Sequence, residues 1–83
     1  MELRLTTAFA EAYAKLTVAE QAQVDRALER LQADPRYPSL QARKWSGELW
    51  YARASRDLRF FYELGDGFYL LRDVGHHDIE RTR

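Results

Sequence analysis

No cysteine occurs in this 83-residue chain. Disulfide staples and thiolate metal sites are therefore excluded, and the composition suits a reducing cytoplasm. Long hydrophobic runs are lacking too, since every apolar segment is short and broken by charge. Neither a signal peptide nor a membrane span is expected. There is no excess of either charge: Lys+Arg and Asp+Glu are both 13. A dedicated nucleic-acid binder is usually basic, so strong non-specific binding to nucleic acid is not expected. Repeats, low-complexity stretches and domain linkers are missing as well. The length allows a single domain, residues 1–83, with a modest core.

Several kinds of site are equally poorly represented. Gly65-Asp66-Gly67 is too short for a phosphate loop, and a turn between strands explains it. Ser46 and Ser55 lack a base and an orienting partner, so a serine nucleophile is not expected. Gly75-His76-His77-Asp78 offers two imidazoles. Neighbouring residues of a strand point to opposite sides, so the two rings do not share an ion, and no metal site is expected.

What is present reads as helices followed by strands. Leu3 and Leu5 alternate with Glu2 and Arg4, which fits a short edge strand over Met1 to Leu5. Thr6 and Thr7 can cap a helix of about three turns whose apolar stripe is Phe9, Ala12, Tyr13 and Leu16. Thr17 to Glu20 spells a capping box for a second helix carrying Val24, Ala27, Leu28 and Leu31. Asp34-Pro35 ends it, because proline disfavours helical geometry in the residue before it. Pro35 to Gly47 reads as a loop. The segments 48–54, 57–64 and 68–75 are rich in aromatic and branched residues, and short turns at Ser55-Arg56 and Gly65–Gly67 join them into a meander. The expected fold is α+β: an N-terminal αα-hairpin packed on a three- to four-stranded antiparallel sheet, in the order (β)ααβββ.

One stretch conflicts with a purely structural role. From Arg43 to Arg59 there are five bases and two acids, a local charge of +3 on a neutral chain. Alternation puts Leu49, Tyr51 and Arg53 on one side of their strand, and Arg59, Phe61 and Glu63 on one side of the next. A guanidinium among aromatic rings can stack and still present a flat fork of donors suited to phosphate. Cross-strand pairing of Arg53 and Arg59 with Glu48, Asp57 or Glu63 is the competing structural explanation.

The order of short motifs carries a resemblance. The chain holds F-x-x-A-Y-x-x-L from Phe9 to Leu16 and L-x-x-D-P from Leu31 to Pro35. L-W-x-A-R follows from Leu49 to Arg53, then D-L-R-F-F-Y from Asp57 to Tyr62 and V-G-H-H-D from Val74 to Asp78. In this it resembles the RelE/ParE superfamily of bacterial toxin–antitoxin toxins, over nearly its whole length. The resemblance implies a compact cytoplasmic domain without a cofactor, and a cognate antitoxin that covers its working face. RelE-type members cut mRNA, commonly in the ribosome, without a metal; ParE-type members inhibit DNA gyrase and cut nothing. By the resemblance Arg53 and Arg59 are phosphate clamps, and Arg43 or Lys44 adds charge. His77, or His76, transfers the proton, while Trp45 and Tyr51 stack on bases. The chain departs from many RNA-cutting relatives by placing Ile79 and Glu80 where they have a tyrosine, and by being neutral. A ParE-like gyrase inhibitor, or a protein-binding domain of this fold without catalysis, is the alternative.

Overall fold

A computed structural model describes residues 1–82. The first strand, β1 (Glu2–Leu5), leads through Thr6 into helix α1 (Thr7–Ala14). The Thr6 hydroxyl accepts from the Phe9 amide at 3.1 Å and donates to the Leu71 carbonyl at 2.9 Å. One side chain thus caps the helix and ties its start to a distant strand. Helix α2 (Val18–Ala33) opens on the complete capping box: the Glu20 amide donates to Thr17 Oγ1, and the Thr17 amide donates to Glu20 Oε1. Tyr13 Oη donates to Asp25 at 2.7 Å and Gln21 Nε2 to the Tyr13 carbonyl at 3.0 Å, which locks the two helices as a hairpin.

Glu20 has a second tie. Its other carboxylate oxygen lies 2.8 Å from His76 Nε2, across the α2 start. The Thr17 amide, and after it His76, hold the Glu20 carboxyl below its ordinary value of about 4.5. A depressed carboxyl stabilises the fold above its unfolded pKa and loses that effect as pH falls through its folded one. Glu20→Ala is therefore expected to lower the melting temperature near neutrality, with the gap from wild type narrowing in acid. Thr17→Ala, which empties the cap itself, should cost about 1 kcal/mol in urea titration.

Four more strands complete the sheet: β2 (Arg43–Ser46), β3 (Leu49–Arg53), β4 (Leu58–Leu64) and β5 (Phe68–His76). A 3-10 turn over His77–Thr82 follows. The spatial order is β1-β5-β4-β3-β2. Two features differ from the sequence expectation. The sheet has five strands, because Arg43–Ser46, read above as loop, pairs antiparallel with β3. Nor is the sheet wholly antiparallel, because β1 runs parallel to β5, with Leu3 beside Tyr69 and Leu5 beside Leu71. Gly47, at φ +55°, makes the two-residue turn between β2 and β3 in a conformation that favours glycine.

The helices cover one side of the sheet. Phe9, Val24, Leu28 and Leu31 meet Ala52, Leu58, Phe60, Tyr62, Leu71 and Val74 there, all buried. Burial pushes the Tyr62 phenol up to about 12, so it stays neutral inside the core. The opposite side carries Arg43, Tyr51, Arg53, Arg59, Phe61 and Glu63 by register. Tyr51 and Phe61 are buried there too.

Candidate functional site

The β3–β4 hairpin sets Arg53 directly opposite Arg59. Like charges facing each other across two strands oppose folding unless something answers them. Among the described residues no carboxylate forms an ion pair with either one, nor with Arg43. Instead the hairpin's own backbone responds. Arg59 Nη1 donates to the carbonyls of Ser55 at 3.0 Å, Arg56 at 2.9 Å and Leu58 at 3.1 Å. Partial burial, and then the Arg53 charge, hold the Arg59 pKa below its ordinary value. Its Nε and Nη2, the edge of the guanidinium that binds bidentately, meet no acceptor among the described residues.

Arg53 is fixed from the other side. Its Nη1 donates to Gln41 Oε1 at 2.8 Å. Gln41 follows the 3-10 turn Pro38–Leu40 and holds a left-handed backbone, φ +45°, which is uncommon for a non-glycine residue. That conformation directs the chain from the turn into β2. On β2, Arg43 lies 4.8 Å from the centre of the Tyr51 ring and donates to its hydroxyl. Tyr51 belongs to an aromatic cluster. It stacks on Phe61 at 5.8 Å, and Trp45 meets Tyr51 at 5.1 Å and Phe61 at 5.6 Å, edge to face. These rings form a stiff floor with favourable quadrupole geometry.

Together Gln41, Arg43, Tyr51, Arg53, Arg59 and Glu80 line a recess of about 310 Å³. A cavity of that size, with three guanidinium groups on its wall, is suited to a phosphate or a comparable anion. Of the residues singled out in the sequence, Arg43, Tyr51, Arg53 and Arg59 come together here, and Trp45 supports the floor. Lys44 does not: its register partner is Trp50, on the opposite side of the sheet. His76 lies away from the recess too, bonded to Glu20. His77 opens the closing turn, is exposed, and lies outside the recess lining. Gln41 and Glu80 escaped the sequence reading. Gln41 carries no motif; Glu80 was visible only as a departure from a tyrosine. Among the described residues no three His, Cys, Asp or Glu side chains gather as a metal site, and no helix is long and apolar enough to cross a membrane.

Compared by sequence, the chain matches no protein-family model and no curated protein. Solved structures match it over nearly its full length. The YoeB/ParE toxin from Agrobacterium tumefaciens superposes with a TM-score of 0.77 at 16% identity, covering 93% of this chain and 99% of that one. The RelBE2 toxin–antitoxin complex from Mycobacterium tuberculosis gives 0.75 at 21% identity over 92% and 96%. The E. coli DinJ–YafQ toxin–antitoxin complex gives 0.72 at 13% identity over 94% and 93%. The architecture is thus an α+β domain with a helical hairpin on one side of a mixed sheet. More specifically, it is the fold of the RelE/ParE toxins.

Proposed function

We propose that this chain is the toxin of a type II toxin–antitoxin pair, an endoribonuclease that cuts mRNA in the cytoplasm, on or off the ribosome, until a cognate antitoxin binds it. One observation carries the proposal: the Nε–Nη2 edge of Arg59, which meets no acceptor among the described residues, set in a recess with Arg43 and Arg53, none of which is ion-paired to a described carboxylate. In RNA cleavage a ribose 2′-hydroxyl attacks the adjacent phosphorus, and charge grows on the non-bridging oxygens. Fixed guanidinium groups stabilise that charge because they need no reorganisation as it forms. Trp45, half-buried beside the arginines, is a ring on which a base can stack; Tyr51, expected above to stack as well, is buried between Phe61, Trp45 and Arg43 and serves as floor instead. His77 begins the turn in which Glu80 lines the recess and is the candidate donor of a proton to the leaving 5′ oxygen. The antitoxin is the partner that would cover this side of the sheet.

A second reading, a ParE-like inhibitor of DNA gyrase or a binding domain without catalysis, is favoured by one fact. No imidazole lines the recess. The two readings separate when the purified chain is incubated with free RNA, with translating ribosomes and with gyrase. Mapped RNA ends that vanish in Arg59→Ala support the nuclease. Intact RNA with arrested supercoiling supports the inhibitor.

The recess makes its own prediction whichever reading holds. An anion that relieves the Arg53–Arg59 repulsion binds only the folded chain and therefore stabilises it. At a concentration 100 times its dissociation constant, inorganic phosphate should add about 2.7 kcal/mol, visible as a rise in melting temperature that Arg59→Ala removes. A flat melting temperature across a phosphate titration would contradict the site.

A further inference from the structure

The closing turn does more than end the sheet. Gly75 is the register partner of Arg59 on β5. A β-carbon at residue 75 would lie 2.6 Å from Cγ2 of Ile79, too close for any real contact. Ile79 therefore packs directly onto a glycine beside Arg59, and this seating brings the next residue, Glu80, into the recess lining. Glu80 is half-buried and makes no ion pair with the arginines among the described residues. The Glu80 charge acts favourably on Arg59 without a direct ion pair among the described residues; it also weakens the binding of an anion in the recess, so its placement calls for a chemical reason.

We propose that Glu80 is a catalytic residue, the general base of the recess, with Ile79 and Gly75 as the pair that positions it. The assignment rests on the nuclease reading above. The Glu80 carboxylate takes the proton of the ribose 2′-hydroxyl. The 2′ oxygen bonds to phosphorus, the bond from phosphorus to the 5′ oxygen breaks, and that oxygen takes up a proton from His77 or water. The products are a 2′,3′-cyclic phosphate and a 5′-hydroxyl, and the proton on Glu80 returns to solvent. Charge supports the arrangement. Three guanidinium groups and one carboxylate give the recess a net charge of +2. A phosphodiester carries one negative charge and its phosphorane two, so the surplus fits the transition state better than the ground state.

The test is single-turnover cleavage of a defined mRNA, free and on programmed ribosomes, followed across the acid-to-neutral range. Affinity for the same oligonucleotide with 2′-deoxyribose is measured in parallel. Glu80→Gln should slow cleavage by about 100-fold or more and abolish the acid limb of the pH profile, while the deoxy analogue binds as tightly or tighter. Glu80→Asp should keep the limb at a reduced rate. Gly75→Ala should lower the rate without weakening the analogue. Adding Ile79→Ala should restore part of the loss, because the Ile79 β-carbon is 3.9 Å from the new methyl, an ordinary contact. Wild-type rates or a retained acid limb in Glu80→Gln would overturn the assignment and leave the nuclease standing, and faster cleavage would mark Glu80 as a plug instead. A wild-type chain that cuts no RNA in either setting would overturn the nuclease reading, and this assignment with it.

Discussion

Arg59→Ala is expected to lower single-turnover RNA cleavage by about 1,000-fold, at the upper end of what one transition-state donor contributes. The expectation is large because the guanidinium is held before substrate arrives. Its Nη1 is committed to three carbonyls of the Ser55–Leu58 turn, so the Nε–Nη2 edge is held in place. Lysine at this position keeps the charge but has no planar fork, and Arg59→Lys should recover only part of the rate. The alanine variant also unties the hairpin, so some stability will be lost. The control is the melting temperature with and without phosphate. If cleavage in Arg59→Ala falls only as far as the folded fraction does, the residue is a turn anchor and not a phosphate ligand.

Phe60→Ala, one position along the strand, should act on the fold alone. The Phe60 ring has no exposed surface and lies in the core between the helices and the sheet. Truncating a buried phenylalanine costs about 3–5 kcal/mol, from lost burial and from the cavity left behind. A domain of this size has about 4–12 kcal/mol in total. The variant is therefore expected to be largely unfolded at physiological temperature, with a urea midpoint far below that of wild type. A loss under about 1 kcal/mol would mean that the helices are not seated on this side of the sheet. Adjacent residues, Arg59 and Phe60, thus separate function from scaffold through strand alternation alone.

That alternation is why much of the molecule was readable beforehand. Thr6, the T-V-A-E box and Asp34-Pro35 mark the helix ends where the structure has them, because capping and proline act locally. Period two fixes the sides of β3 and β4 strand by strand, Tyr51 with Arg53 and Arg59 with Phe61; that the two groups share one side comes from the pairing register, which the sequence does not contain. β2 was missed for a physical reason. Arg43, Lys44, Trp45 and Ser46 show no apolar alternation, because the strand is an exposed edge and slips register between Lys44 and Ser46. The parallel β1–β5 pairing was hidden because it joins residues far apart in the chain. His77 came from the resemblance, and the turn that carries it brings Glu80 into the recess lining, a placement no motif announced.

The Thr6–Leu71 hydrogen bond spans 65 positions of sequence. Closing a loop of that length is entropically costly. A chain growing from its amino end therefore carries β1 and the start of α1 without their mate until β5 has been synthesised. The residues of the arginine wall, on β2, β3 and β4, all precede β5 in the chain, and the turn bearing Glu80 follows it. Synthesis from the amino end therefore supplies the residues of the anion-binding wall first and the carboxylate last, and the recess lining is incomplete until residue 80 has been added.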